Sequence, residues 1–256
     1  ANPQLKLIAI TATGYNMIDI EAAKELGITV SNVAGYSTVS VAEHAFMMLL
    51  ALVHRLPCYQ KRMVEGEWQA SSLFSILAEP IFDLEGKTLG IFGRGAIGQK
   101  LAGFAKAFGV TILFAEHRGA ATLREGYTDF DIVLETSDIL SLHVPLNADT
   151  QNMIDGEAIS RMKKGAIIIN VSRGGLIDEE ALVEGLRSGQ VGGAGIDVTT
   201  PEPPHPDNPL LADDLGNFIL TPHTAWSSEE AIARLMDILH NNINQFVAGN
   251  PQNVIV

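Results

Sequence analysis

A single cysteine, Cys58, in 256 residues excludes an internal disulfide framework and fits a reducing compartment, so a cytoplasmic location is expected. Basic residues are also scarce. Seventeen Lys and Arg stand against 30 Asp and Glu, a net charge of −13. A surface of that sign repels phosphate backbones and anionic lipid, so neither nucleic acid nor membrane is expected as a partner. Long apolar runs are missing too. The most apolar helical stretch, Phe46-Met-Met-Leu-Leu-Ala-Leu-Val53, falls far short of the ~20 residues of a membrane span. Glu43 and His44 precede it and His54 and Arg55 end it, so it reads as a core helix. The N-terminus shows no basic-then-apolar leader. It also lacks a starting methionine and enters a strand almost at once, so residues are expected upstream of Ala1. No repeat of solenoid period is visible, and no metal is assigned.

What remains is an ordinary globular composition, 46% hydrophobic and 18% charged, with enough chain for one large or two modest domains. Short apolar runs bounded by Gly, Pro and polar clusters read as buried strands. They fall at Leu5–Thr11, Ile28–Ser31, Thr88–Phe92, Thr111–Ala115, Ile139–His143, Ala166–Val171, Gly193–Val198 and Phe218–Leu220. Helices are predicted between them. The first runs from an Asp19 cap to Leu26. A long one spans Tyr36–Leu56 and is stopped by Pro57. Others cover Ala96–Phe108, Gly156–Met162 behind Asp155, and Glu179–Ser188 behind Asp178. The stretch around Trp68 reads as irregular, and that from Ala115 to Ser137 as poor in helix. A final helix, Ser228–Val247, opens with the capping-box pattern Ser227-x-x-Glu230.

Strands alternating with helices imply parallel βαβ units and an α/β fold with a doubly wound sheet. Residues 36–227 are expected to form that Rossmann-type domain. Residues 1–35 and 228–256 are expected to form a second, smaller, discontinuous α/β domain.

Gly93-Arg-Gly-Ala-Ile-Gly98 has the form G-x-G-x-x-G, with a strand before it and the helical stripe Ile97, Leu101, Ala102, Ala105 after it. Gly93 permits the tight turn, Gly95 lets the backbone approach a pyrophosphate, and Gly98 lets helix and strand pack closely. The anion then meets the N–H groups of Ala96, Ile97 and their neighbours at the positive end of the helix dipole. Arg94 is expected across the pyrophosphate. The next strand ends at Glu116, 18 residues beyond Gly98, where an acid accepts from an adenosine ribose and disfavours a 2′-phosphate. That favours NAD over NADP, although His117 and Arg118 follow at once.

Three ionisable residues stand just beyond strands of the second half: Arg173 after Ala166–Val171, Glu202 after Gly193–Val198 and His223 after Phe218–Leu220. Ligands of such sheets collect outside the carboxyl ends of the strands. A guanidinium, a carboxylate and an imidazole there bind an anion and move a proton.

The order of Gly93–Gly98, Ser141-Leu-His-Val-Pro-Leu146 with Thr150, Ile169-Asn-Val-Ser-Arg-Gly-Gly-Leu-Ile-Asp178, Gly193-Ala-Gly-Ile-Asp-Val198 with Glu202-Pro203, and Thr221-Pro-His223 resembles the D-isomer-specific 2-hydroxyacid dehydrogenases. Trp226 and the closing Asn253-Val-Ile-Val256 look like the hydroxypyruvate reductase (glycerate dehydrogenase) branch. The resemblance implies an NAD-dependent enzyme that reduces a small 2-oxoacid, hydroxypyruvate or glyoxylate, to the D-2-hydroxyacid. It implies that Arg173 holds the substrate, that His223 is the proton donor and that Glu202 bonds the other imidazole nitrogen. It further implies cofactor contacts at His143, Pro145, Thr150, Val171, Ser172, Asp197 and Ala225, substrate contacts at Ala12, Thr13 and Gly14, and a homodimer joined near Tyr36–Leu56. The family's substrate domain normally begins some tens of residues before the match to Leu5–Thr11, so the smaller domain is expected to lack N-terminal strands. The same family contains phosphoglycerate dehydrogenases. It also contains formate dehydrogenases, which pair the histidine with glutamine, and NADH-responsive corepressors, which keep the trio.

Overall fold

The computed structural model describes residues 2 and 4–256. It divides into two compact units, Ala1–Ser40 with Trp226–Val256, and Val41–Ala225.

The larger unit is built on six parallel strands: β3 (Thr88–Phe92), β4 (Thr111–Ala115), β5 (Ile139–Leu142), β6 (Ala166–Asn170), β7 (Val191–Ile196) and β8 (Phe218–Leu220). Their spatial order is β4-β3-β5-β6-β7-β8. Isoleucine-rich β6 is buried at all five positions, as a central strand covered on both faces must be. The core joins Phe92, Leu140, Leu142, Ile154, Ile168 and Leu182. Helices α5 (Ala96–Ala107), α7 (Gly156–Arg161) and α8 (Glu179–Ser188) connect the strands. Asp155 and Asp178 cap the last two, accepting from Ala158 N and Ala181 N. Free first-turn N–H groups are what a short carboxylate satisfies.

Beyond β4, Thr128 makes a parallel bridge to Ala115. Glu116 N donates to Thr128 O and Thr128 N to Phe114 O, both at 2.8 Å. This rudimentary strand lies on the open edge of β4. The chain thus winds outward in both directions from the gap between β3 and β5. Such a switch point opens a crevice above the strand ends.

The structure differs from the sequence-based expectation in three connecting regions. Pro57 does not stop the long helix. That helix, α2 (Thr38–Val53), ends earlier, Arg55 turns left-handed (φ 55°), and Pro57 sits in the first turn of α3 (Leu56–Val64). Proline lacks only a donor that a first turn leaves unused, so it starts a helix as readily as it ends one. A further short helix, α4 (Glu67–Ala70), crosses the stretch expected to be irregular. The stretch after β4 holds α6 (Phe130–Thr136), capped by Asp129 through the N–H groups of Asp131 and Ile132. β7 starts and ends two residues before the expected strand, because Val191 pairs with Ala166 and Gly193 with Ile167 across a register shift at Gly192.

In the smaller unit, β1 (Leu7–Ala9) and β2 (Thr29–Ser31) are parallel, joined by α1 (Ile20–Glu25) behind Asp19. The C-terminus lines the same ribbon: Ile255 N donates to Val30 O at 2.7 Å and Val30 N to Val256 O at 2.8 Å. A small core of Ile10, Ala23, Ile28 and Val30 gathers Ile255 and Val256. The last helix, α9 (Glu229–Val247), is capped by Ser228, not Ser227, through Ala231 N. Buried Asn242 on α9 donates to Asn32 O, and Tyr36 meets Trp226 edge to face at 6.3 Å. Among the described residues, no single helix is long and apolar enough to cross a membrane.

Candidate active site

The glycine loop opens at the switch point. Gly93 has φ +107°, and a Cβ on it would lie 2.5 Å from the carbonyl oxygen of His143. A Cβ on Gly98 would lie 2.2 Å from the Gly93 carbonyl oxygen. Both positions therefore exclude any side chain, because the obstacles are backbone. At Gly95 nothing stands within 4 Å of an added Cβ, so this face of the loop is open. Gly95 is also the N-cap of α5 and offers no side-chain cap, leaving the Ala96 and Ile97 turn to an outside acceptor. A glycine cradle around an uncapped 12-residue helix suits a diphosphate.

Around this loop the expected cofactor residues are arranged as follows. His143, just past β5, donates its N–H to Phe92 O at 2.7 Å, and its Nε2 lies 2.8 Å from Ser141 Oγ. Burial pushes its imidazole down to about 4, so the ring is neutral. Thr150 donates its hydroxyl to Pro145 O at 2.7 Å and accepts from Asn147 N at 2.9 Å, closing the loop after β5 on itself. Ser172 Oγ donates to Val144 O at 2.6 Å, tying the ends of β5 and β6 beside buried Val171.

Two expected contacts look elsewhere. Arg94 donates to Glu125 O at 3.1 Å and lies over the rings of Phe114 and Tyr127, turned toward the segment after β4. Glu116 is buried, and Arg124 grips its carboxylate with Nε at 2.7 Å and Nη2 at 2.6 Å. That guanidinium, with the backbone donors of His117 and Arg124, holds the acid down to about 2. The acceptor expected to stand free for a ribose is already filled.

Arg173, Glu202 and His223 follow β6, β7 and β8, which are adjacent in the sheet. Glu202 and His223 touch. Glu202 Oε2 lies 2.8 Å from His223 Nδ1, while Oε1 accepts from Thr199 N at 3.1 Å. With Nδ1 engaged, Nε2 is the nitrogen left to face a ligand. His223 is left-handed (φ 54°), a conformation an L-residue keeps only when its surroundings impose it. Asp197 imposes it. Its carbonyl accepts from His223 N at 2.8 Å, and its carboxylate accepts from Thr224 N and Ala225 N, each at 2.9 Å. Arg173 makes no bond to the other two. Its Nη1 donates to Ser172 O at 2.7 Å, and Asn170 Nδ2 donates to Arg173 O at 2.8 Å.

Sequence reasoning did not single out Asn170, His44, Thr221 or Arg124. Thr221 donates to Asp197 Oδ1 at 2.5 Å, and His44 Nε2 lies 3.0 Å from the same hydroxyl. A wholly buried asparagine closing an isoleucine run is the signal that could have found Asn170. His44 and Arg124 carry no such sign. In the smaller unit, Ala12 and Thr13, which precede Gly14, are fastened to the end of β2: Val33 N donates to Ala12 O at 3.0 Å, Asn32 Nδ2 to Thr13 O at 2.7 Å, and Thr13 Oγ1 to Val33 O at 3.2 Å.

Residues 46–225 match the family described as D-isomer specific 2-hydroxyacid dehydrogenase, NAD binding domain. A glycerate dehydrogenase of Methylorubrum extorquens is 45% identical over 253 residues, 99% of this chain and 79% of that protein. Two solved structures share the fold closely. An acyclic imino acid reductase in complex with NADPH and D-Arg has a TM-score of 0.87 at 35% identity, covering 99% of this chain and 79% of its own. A D-lactate dehydrogenase of Aquifex aeolicus complexed with NAD and lactic acid has a TM-score of 0.84 at 33% identity, covering 97% and 78%.

Proposed function

Since this chain belongs to the D-isomer-specific 2-hydroxyacid dehydrogenases, a family of NAD-dependent oxidoreductases, we propose that it reduces a small 2-oxoacid, hydroxypyruvate or glyoxylate, to the D-2-hydroxyacid with NADH. The bound nicotinamide supplies the hydride. Everything else is the work of this chain's side chains. The observation that carries the reading is the 2.8 Å contact between Glu202 Oε2 and His223 Nδ1 on a turn pinned by Asp197.

In this mechanism Nε2 of His223 donates a proton to the substrate's carbonyl oxygen as that oxygen gains negative charge, and takes it back in the reverse direction. Glu202 fixes the tautomer and the orientation of the ring through its contact with Nδ1. Arg173 grips carboxylate and carbonyl oxygen with its planar donor fork. Asp197 positions the histidine turn. The glycine cradle, with Val171, Ser172 and Ala225, holds the dinucleotide, and half-buried, neutral His143 adds no charge beside it. In the smaller unit, the backbone of Ala12, Thr13 and Gly14 is proposed to take the substrate carboxylate.

A second copy of this chain is the proposed partner. Val64, Phe74 and Leu77 are 88%, 93% and 90% exposed, with Leu73 and Trp68 exposed between them. An apolar surface of that kind is covered by protein in stable enzymes. Light scattering reporting a monomer at micromolar concentration would remove that assignment.

The test of the function is turnover. The full-length protein should oxidise NADH with hydroxypyruvate or glyoxylate, and His223→Ala should abolish this while NADH binding survives. Tight NADH binding without turnover against a panel of 2-oxoacids would instead support a sensor.

A further inference from the structure

At the end of β4 the Glu116 carboxylate has no vacancy. Oε1 accepts from His117 N at 2.9 Å and Arg124 Nη2 at 2.6 Å, and Oε2 from Arg124 N at 3.2 Å and Arg124 Nε at 2.7 Å. A carboxylate offers about four lone-pair sites, and four donors fill them. The Glu116 side chain is 2% exposed, whereas that of Arg124 is 54% exposed. The group presented to solvent at this strand end is thus the guanidinium.

The arrangement is braced against the glycine loop. The Arg124 guanidinium stacks 4.0 Å from the Tyr127 ring centroid, and Arg94 of the loop lies 5.4 Å from the same centroid. Thr128 then pairs with β4. Arg118, two residues beyond Glu116, lies 4.4 Å over Phe130 with Nη2 on Met153 O. The Glu116 carboxylate is thus matched by Arg124, with Arg94 on the same tyrosine ring and Arg118 two residues along the chain, in a protein of net charge −13.

We propose that Arg124 sets the coenzyme preference: by occupying the Glu116 carboxylate it cancels that acid's repulsion of a 2′-phosphate, and the site accepts NADPH alongside NADH. This rests on the oxidoreductase reading and refines it. The usual discrimination by an acid at this place needs a free, charged acceptor. Here the acid is spent on its own chain, and a 2′-phosphate meets a half-exposed guanidinium whose Nη1 takes no part in the grip on Glu116.

The test is fluorescence titration of the full-length protein with NADH and with NADPH, without substrate. The wild type should bind the two within about tenfold of each other. Arg124→Gln should weaken NADPH at least tenfold more than NADH, because the freed carboxylate now opposes the phosphate. Glu116→Gln with Arg124→Gln together should bring the ratio part of the way back, since the acid that repels the phosphate is gone while the guanidinium that attracts it is still missing. The double variant also removes the buried unpaired acid, so a folding defect of the single variant cannot pass for a binding effect. Equal weakening of both coenzymes by Arg124→Gln, no recovery in the double variant, or wild-type binding of NADH alone would overturn the inference and leave the oxidoreductase reading standing. Failure to bind either dinucleotide would overturn both.

Discussion

The glycine loop can be tested through its stability with an internal control, because α5 carries two glycines in opposite circumstances. Alanine at either helical position gains about 0.5–1 kcal/mol from propensity and a less flexible unfolded chain. At Gly103 an added Cβ meets nothing within 4 Å, so that gain is the whole effect. At Gly98 it lies 2.2 Å from Gly93 O and 3.1 Å from Ile91 Cγ2. The oxygen must retreat by roughly 1 Å to reach ordinary contact, and overpacking of this kind costs about 1–3 kcal/mol or more. Gly93 cannot yield freely, being in a left-handed conformation pressed against the His143 carbonyl. The clash wins, with a net loss on the order of 1–2 kcal/mol. For a unit of this size each kcal/mol moves Tm by about 2–4 °C. Thermal unfolding followed by circular dichroism should thus place Gly98→Ala below the wild type by several degrees and Gly103→Ala slightly above it. NADH titration should show weaker binding in Gly98→Ala only. A Gly98→Ala protein that unfolds and binds NADH like the wild type would refute the close-packing argument.

Glu202→Gln should lower kcat on the order of 10²-fold with the NADH dissociation constant unchanged, since an amide oxygen cannot serve both Thr199 N and His223 Nδ1; an unmoved kcat in steady-state assays would show that Glu202 does not orient the histidine. Acid should destabilise the fold in two stages. The folded His143 stays neutral down to about 4 against an ordinary 6.5, so its contribution, about 3 kcal/mol at most, is full above pH 6.5 and fades as pH falls toward 4. The Glu116 carboxylate, held at about 2 against 4.5, adds a loss that begins only as pH falls below 4.5. Urea unfolding of His143→Gln between pH 7 and 4.5 should show a shallower pH slope than the wild type, and identical slopes would contradict the assignment.

Much of this architecture was legible in the sequence, for physical reasons that differ by element. Buried parallel strands are apolar along their whole length, so β3, β5 and β6 stood out, and short carboxylates at Asp19, Asp155 and Asp178 announced their helices. The trio was visible because strand ends of a wound sheet collect function. Less legible was whatever depends on a partner far away in the chain. Helix α6 is seven residues long with a half-polar sequence, and its Asp129 cap follows a loop without apolar period. The bridge at Thr128 is one residue wide. Arg124 reads as a solvated charge until its fork is seen on Glu116, and His44 as a helix residue until Thr221 and Asp197 are found beside it. Pro57 misled because proline marks a helix boundary without saying which side the helix lies on.

The proposed mechanism depends on His223, held by Glu202, moving the proton in a 2-oxoacid reduction. Single-turnover oxidation of bound NADH by hydroxypyruvate, compared between the full-length wild type and His223→Ala, tests it most directly. Oxidation should be rapid in the wild type and slower by about 10³-fold or more in the variant, with NADH affinity unchanged. Equal rates in the two proteins would contradict it.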